Sequence, residues 1–217
     1  MKKIVLIGDS IRIGYEKYVQ EALEGSAEFY IPNDNAKFTT YVLRFIQNWK
    51  KKGQWPEDVD LIHWNAGLWD VVQFFNDPEP LTPIDCYEKN IARIDKRLRH
   101  FFPKAKMIFA TSTAVVEEGY LGTPGGFRTN EMIEAYNEAA KRALAGTDTI
   151  INDLYAITKD CPDSCRSDMT HFATPEGTAL LGNQVLSVLC NALDISASEI
   201  KLEDFELAQH SEDYIGF

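Results

Sequence analysis

Short apolar, β-branched runs alternate along this chain with longer stretches of helical periodicity, and that alternation restricts the fold more than any other feature. The runs are Lys3–Ile7, roughly Glu28–Ile31, Val59–Trp64, Lys106–Thr111 and Thr149–Asn152. Helical spacing of apolar residues covers Ile13–Leu23, Phe38–Lys52, Cys86–Phe101, Asn130–Leu144 and Pro175–Leu193. Pro103 follows the third of these, Thr129 or Asn130 suits the cap of the fourth, and Pro175 suits a first helical turn after Thr174. Strand and helix in strict alternation predict βαβ units and a parallel sheet with helices on both faces. No internal repeat or low-complexity linker interrupts the pattern. Two loops stand out for length and composition, Asp77–Pro80 and Glu118–Phe127, the second with four glycines and a proline.

A chain of 217 residues with 45% hydrophobic composition can bury a real core and is expected to form a single domain over 1–217. Its end, from about 196 to 217, is an acidic extension that carries Phe205, Tyr214 and Phe217. Those aromatics suit packing against the body or against a second subunit, so a homo-oligomer stays open. The net charge of −11 argues against nucleic acid and against anionic membranes, whose phosphates call for Lys and Arg. No apolar stretch is long enough to span a bilayer. Met1-Lys2-Lys3 is followed by only four aliphatic residues before Gly8, too few for a secretory leader, so a cytoplasmic location is expected. Cys161 and Cys165 are the only close cysteine pair; a zinc site would need two further ligands at suitable spacing, and free thiols are the expectation for them, as for Cys86 and Cys190. No metal is expected.

The first strand ends in Gly8-Asp9-Ser10. Gly, Asp and Ser all favour turns, but open α/β sheets also place their active sites at the carboxyl ends of strands. Near the other end of the chain stands Ser167-Asp168-Met169-Thr170-His171, just before the last predicted helix. Aspartate and histidine three residues apart in a loop can set the carboxylate on the imidazole. The Asp then orients the ring and stabilises its charged form, and the His accepts a serine proton. Of the four histidines, only His171 is flanked by a suitable acid in such a loop.

Gly-Asp-Ser closing the first strand and Asp-x-x-His opening the last helix together resemble the SGNH, or GDSL, hydrolase family, over nearly the whole chain from Gly8 onward. The resemblance extends to a branch with GDSIRxGY near the start and WNxGLxD in the middle. It implies a three-layer α/β/α, flavodoxin-like fold with a five-stranded parallel sheet, and hydrolysis of acyl esters without a cofactor. Carried onto this chain, Ser10 is the nucleophile, His171 the general base and Asp168 its orienting acid. Ser10 at a helix start also has backbone N–H groups and a positive dipole end beside it for an oxyanion. The middle blocks depart from the family pattern. In Asn65-Ala66-Gly67-Leu68-Trp69-Asp70, Gly67 and Asp70 match but Trp69 stands where asparagine is expected, and Asn65 is the nearest replacement amide. In the second block Ala36 stands where glycine is usual, and its N–H is the expected donor. The oxyanion hole is thus read as the N–H groups of Ser10 and Ala36 with the side-chain amide of Asn65.

Four further readings concern the site's supports. Asp9 is expected to bind backbone N–H groups of its own turn. Arg12 is expected in a structural pair, with Asp70 or another acid as partner. Trp64 and Trp69 suit either an aromatic wall or ordinary core, and His63 a satisfied place in the core. The expected activity is that of a serine esterase on a small-molecule ester, with O-acetyl groups on a carbohydrate as first choice. A lysophospholipase- or thioesterase-type acyl hydrolase and a non-catalytic binding protein on the same scaffold are the alternatives. A nucleotide-binding protein is disfavoured, because Asp9 inside the Gly8–Gly14 segment would repel a phosphate.

Overall fold

The computed structural model describes residues 1–121 and 125–207. Strands β1 (Lys2–Ile7), β2 (Ala27–Tyr30), β3 (Leu61–Trp64), β4 (Lys106–Ala110) and β5 (Ile150–Asn152) form one parallel sheet in the order β2-β1-β3-β4-β5. The helices are α1 (Ser10–Ala22), α2 (Thr39–Lys52), α3 (Ile84–Phe101), α4 (Asn130–Leu144), α5 (Leu154–Thr158) and α6 (Pro175–Leu193). α1 packs on α6 over one face, while α2, α3 and α4 pack in a row over the other. The expected three-layer α/β/α architecture is borne out.

The central strands show why the sequence reads as continuous apolar runs. Ile4, Val5, Leu6 and Ile7 alternate between the two faces, and all four are fully buried because helices cover both. Each such side chain contributes about 1.5–3 kcal/mol relative to an exposed one. β3 is buried in the same way at Leu61, Ile62, His63 and Trp64.

Two helices depart from the periodicity. α1 starts at Ser10, three residues before the expected Ile13, because Asp9 caps it: its Oδ1 accepts the Ile11 N–H at 3.0 Å. α5 is too short to show a period, and Asp153 Oδ1 caps it through the Ala156 N–H at 3.1 Å. Thr129 and Thr174 cap α4 and α6 as their sequences imply, with Pro175 in the first turn of α6.

The described part of the C-terminal extension lies along α1. Ser198 N–H donates to the Ala22 carbonyl at 2.8 Å, and buried Phe205 meets the Tyr18 ring edge-on at 5.5 Å. Tyr214 and Phe217 lie outside the described residues. All four cysteines are free.

The strand order places the site. The sheet grows in opposite directions from the β1–β3 pair, and such a switch point leaves a crevice at the carboxyl ends of the strands. The register pairs Ile7 with Trp64, and the Asn65 N–H donates to the Ile7 carbonyl at 3.0 Å. Gly8-Asp9-Ser10 and Asn65-Ala66-Gly67 therefore leave the sheet side by side.

Candidate active site

Ser10 is the first residue of α1 and is 5% exposed. Its Oγ lies 2.8 Å from His171 Nε2, although the two residues are 161 positions apart. His171 Nδ1 lies 2.8 Å from Asp168 Oδ2. The other carboxylate oxygen, Asp168 Oδ1, accepts the Thr170 N–H at 2.7 Å and the His171 N–H at 2.8 Å. Partial burial pushes the Asp168 pKa up, but the His171 ring and these two N–H groups outweigh it and bring the carboxyl down to about 2. An ionised Asp168 requires the proton on His171 Nδ1, which leaves Nε2 to accept from Ser10.

The loop that carries Asp168 and His171 is fixed from several sides. Arg166 spends its guanidinium on the Ala114 carbonyl at 3.0 Å and the Thr158 carbonyl at 2.9 Å, with its plane 4.6 Å over the Phe172 ring. The Val116 N–H donates to the Met169 carbonyl at 2.9 Å, and the Tyr120 and Thr170 hydroxyls meet at 2.6 Å. At Gly177 an added Cβ would stand 2.0 Å from the Cys165 carbonyl oxygen, so only glycine lets α6 approach this closely.

Around Ser10 the structure separates the expected supports from one another. Asp9 is fully buried and caps Ile11 through Oδ1, with the Asn65 side chain near it and its Oδ2 without a hydrogen-bond partner among the described residues. Burial raises its pKa, opposed by the Asn65 side chain and the Ile11 N–H. Arg12 is also fully buried, but its acid is Glu16, one helical turn on, and not Asp70. Its other guanidinium nitrogen donates to the Asp34 carbonyl at 2.6 Å and the Gly8 carbonyl at 3.3 Å, so Arg12 ties α1 to the β2–α2 loop. Asp70 is taken by that loop's far end, accepting from Thr39 N–H at 3.0 Å and Thr39 Oγ at 2.6 Å. Even so, burial raises the Asp70 pKa to about 6.

The expectation for Ala36 is corrected. Its N–H donates to the Gly8 carbonyl at 3.1 Å and is committed to joining the two loops. The residue in a glycine-favouring conformation is its neighbour Lys37, at φ +49°, and that N–H is taken by Asn35 Oδ1 at 2.9 Å. Two of the expected oxyanion donors keep capacity. The Ser10 N–H, first in α1, has no hydrogen-bond partner among the described residues. Asn65, 4% exposed, turns Oδ1 toward Gly8 and its amide toward Asp9, and an amide nitrogen carries a second N–H.

Gly67 shapes the same corner. Its φ is +156°, and an added Cβ would stand 2.3 Å from Ser112 Oγ and 3.1 Å from the Tyr87 hydroxyl. Trp64 is fully buried with its ring edge-on to Phe109, so it belongs to the core and not to a wall; Trp69 is half-buried. His63 is buried and held neutral, its pKa pushed by desolvation down to about 3. Nε2 accepts from Asn152 at 3.1 Å, but Nδ1 has no partner among the described residues, so the histidine is only half satisfied there.

A groove opens beside this centre, lined in part by the Glu118–Phe127 loop that stands out in the sequence. Phe75, Tyr120, Leu121, Phe127 and Arg128 line it. Gln73 holds its two loops together, exchanging backbone hydrogen bonds with Phe127 at 2.9 and 3.0 Å. Its wall touches both halves of the site, through Tyr120 to Thr170 and through Arg128 Nε to the Leu68 carbonyl.

No family model matches the chain, and no curated protein matches it. Solved structures do. A lipase/acylhydrolase from Enterococcus faecalis is 18% identical, with 92% of this chain and all of that one covered at a TM-score of 0.67. An acetyl xylan esterase is 16% identical, over 86% of this chain and 99% of that one, at a TM-score of 0.66. A carbohydrate esterase family 3 protein from Talaromyces cellulolyticus is 18% identical, over 90% of this chain and all of that one, at 0.66. At these identities the likeness is one of fold, and the fold is the three-layer α/β/α architecture of these esterases and acylhydrolases.

Proposed function

We propose that this chain is a serine esterase that hydrolyses short-chain acyl esters of small molecules, O-acetyl esters of a carbohydrate first among them. The observation that carries the reading is the hydrogen-bonded chain Ser10 Oγ–His171–Asp168, with both links at 2.8 Å, at the switch point of the sheet.

His171 Nε2 takes the Ser10 hydroxyl proton as Oγ attacks the ester carbonyl carbon. The carbonyl π pair moves onto oxygen, and that oxyanion is met by the Ser10 N–H and the Asn65 amide. The intermediate collapses, the C–O bond to the alcohol breaks, and His171 returns the proton to the leaving oxygen. Water then attacks the acyl-enzyme by the same proton route, releasing the acid and restoring Ser10. Asp168, held ionised at a pKa of about 2, supports the imidazolium in both steps. No step calls for a cofactor or a metal.

The acetyl and carbohydrate assignment is supported by the names of two fold neighbours, an acetyl xylan esterase and a carbohydrate esterase family 3 protein. One observation favours the lysophospholipase- or thioesterase-type alternative: the groove carries exposed apolar side chains, with Phe75 55% and Leu121 78% exposed. Hydrolysis of p-nitrophenyl acetate beside p-nitrophenyl octanoate, by wild type and Ser10→Ala, tests the reading. Acetate hydrolysis that vanishes in Ser10→Ala supports it. Preference for octanoate moves the assignment to the alternative. No hydrolysis of either ester by folded protein contradicts it.

A further inference from the structure

The groove beside the site contains a cation with no ion-pair partner among the described residues. Arg128 is half-buried, yet no carboxylate pairs with it among the described residues. The contrast with Arg12, which is buried, and with Arg99 and Arg166, which are half-buried, is direct. Arg12 has Glu16, Arg99 has Asp95 and Asp148, and Arg166 is used up on two backbone carbonyls. Arg128 uses Nε on the Leu68 carbonyl and reaches the Tyr120 hydroxyl, with its guanidinium 5.5 Å from the Tyr120 ring centre. A guanidinium has five N–H donors, and the rest of these have no partner among the described residues. Desolvation lowers its pKa from the ordinary value, but the group stays charged. A half-buried guanidinium with unused N–H groups facing a groove is placed to bind an anion there.

The surroundings define what would complete it. Phe75 and Phe127 meet at a tilt of 36°, with 5.6 Å between ring centres, and with Tyr120 they give the groove an aromatic lining. Glu117 and Glu118 also line it, but Glu117 is turned to the Asn130 N–H at 2.7 Å and neither pairs with Arg128. We infer that the groove receives the alcohol half of the substrate and that this half is a ring bearing a carboxylate, which Arg128 binds through its unused N–H groups. This rests on the esterase reading and deepens it. It makes Arg128 a specificity-determining residue, and a sugar acid or a hydroxybenzoate is the kind of alcohol that fits.

The test uses 4-acetoxybenzoate and its neutral isostere 4-acetoxybenzamide. A charge-assisted hydrogen-bonded pair corresponds to about 10- to 100-fold in kcat/KM. Wild type should prefer the anionic ester by about that factor, and Arg128→Gln should bring the ratio of the two esters close to one. Because Arg128 also supports Leu68, the wild-type protein gives an independent reading. Free 4-hydroxybenzoate should inhibit p-nitrophenyl acetate hydrolysis at least about tenfold more strongly than 4-hydroxybenzamide. Hydrolysis of both acetoxy esters at equal kcat/KM, or equal inhibition by the two phenols, overturns the Arg128 assignment and leaves the esterase standing. Hydrolysis of neither acetoxy ester by protein that cleaves p-nitrophenyl acetate likewise overturns the Arg128 assignment alone, and failure to cleave p-nitrophenyl acetate and octanoate as well overturns both.

Discussion

Arg12→Met removes a fully buried guanidinium while keeping most of its volume, and the structure states what is left behind. Glu16 loses its ion-pair partner, and its side chain is 18% exposed. Breaking a buried pair by removing one partner costs about 3–5 kcal/mol, and the water reaching Glu16 places this case near the lower end. The Asp34 carbonyl, which accepted from Arg12 at 2.6 Å, is also orphaned, adding about 1–2 kcal/mol. The sum is roughly 4–5 kcal/mol, a large fraction of the stability of a typical domain. Urea unfolding followed by circular dichroism should show a midpoint lowered accordingly, with little change in slope. Adding Glu16→Gln in the Arg12→Met background removes the stranded charge and should recover about 1–2 kcal/mol. An Arg12→Met protein within about 1 kcal/mol of wild type, or no recovery in the double variant, would refute the view that this pair clamps α1 to the β2–α2 loop.

Three further outcomes follow from the site. Asn65→Ala should stay folded and lose about 100–1,000-fold in kcat on p-nitrophenyl acetate, as expected for a lost oxyanion donor; full activity would remove Asn65 from that role. Gly67→Ala should destabilise by about 2–4 kcal/mol in thermal unfolding, because the Cβ meets the Ser112 hydroxyl and the backbone is strained, and Ser112→Ala should relieve part of this. Asp70 has a folded-state pKa of about 6 against an ordinary 3.8. Between those values the folded protein holds a proton that the unfolded chain has lost. Stability from this group is therefore complete at low pH and declines as pH rises through about 6. Measured against Asp70→Asn, wild type should lose up to about 3 kcal/mol between pH 4 and 6; a flat difference would contradict the cause assigned to the shift.

Local signals carried most of the fold. α4 and α6 match their expected bounds because each combines a periodic apolar face with a threonine cap, and α6 adds a proline in its first turn. The periodicity starts the first helix late because Gly-Asp-Ser has the composition of a turn, although Asp9 is at once the turn's acid and the helix cap. Five residues cannot display a helical period, which hid α5. At the site, Ser10, Asp168 and His171 stand out because two short motifs close the first strand and open the last helix. The rest depends on contacts no spacing reports. Ala36 fails as a donor because the Gly8 carbonyl lies 3.1 Å from its nitrogen, a relation between two loops. Glu16, at i+4 from Arg12 on one helix, was the readable partner, and Asp70 drew attention only through its motif. Arg128 and Tyr120 sit in a glycine-rich loop segment without periodicity, and only the fold brings them to Thr170 and Leu68.

The central claim is that His171 makes Ser10 a nucleophile. Treatment of the folded protein with a fluorophosphonate, followed by peptide mass spectrometry, tests it most directly. The account predicts a single phosphonyl adduct on the peptide that begins the chain, located on Ser10, and its loss in His171→Ala while the variant remains folded. No adduct on wild type, or one that persists at Ser10 without His171, would contradict it.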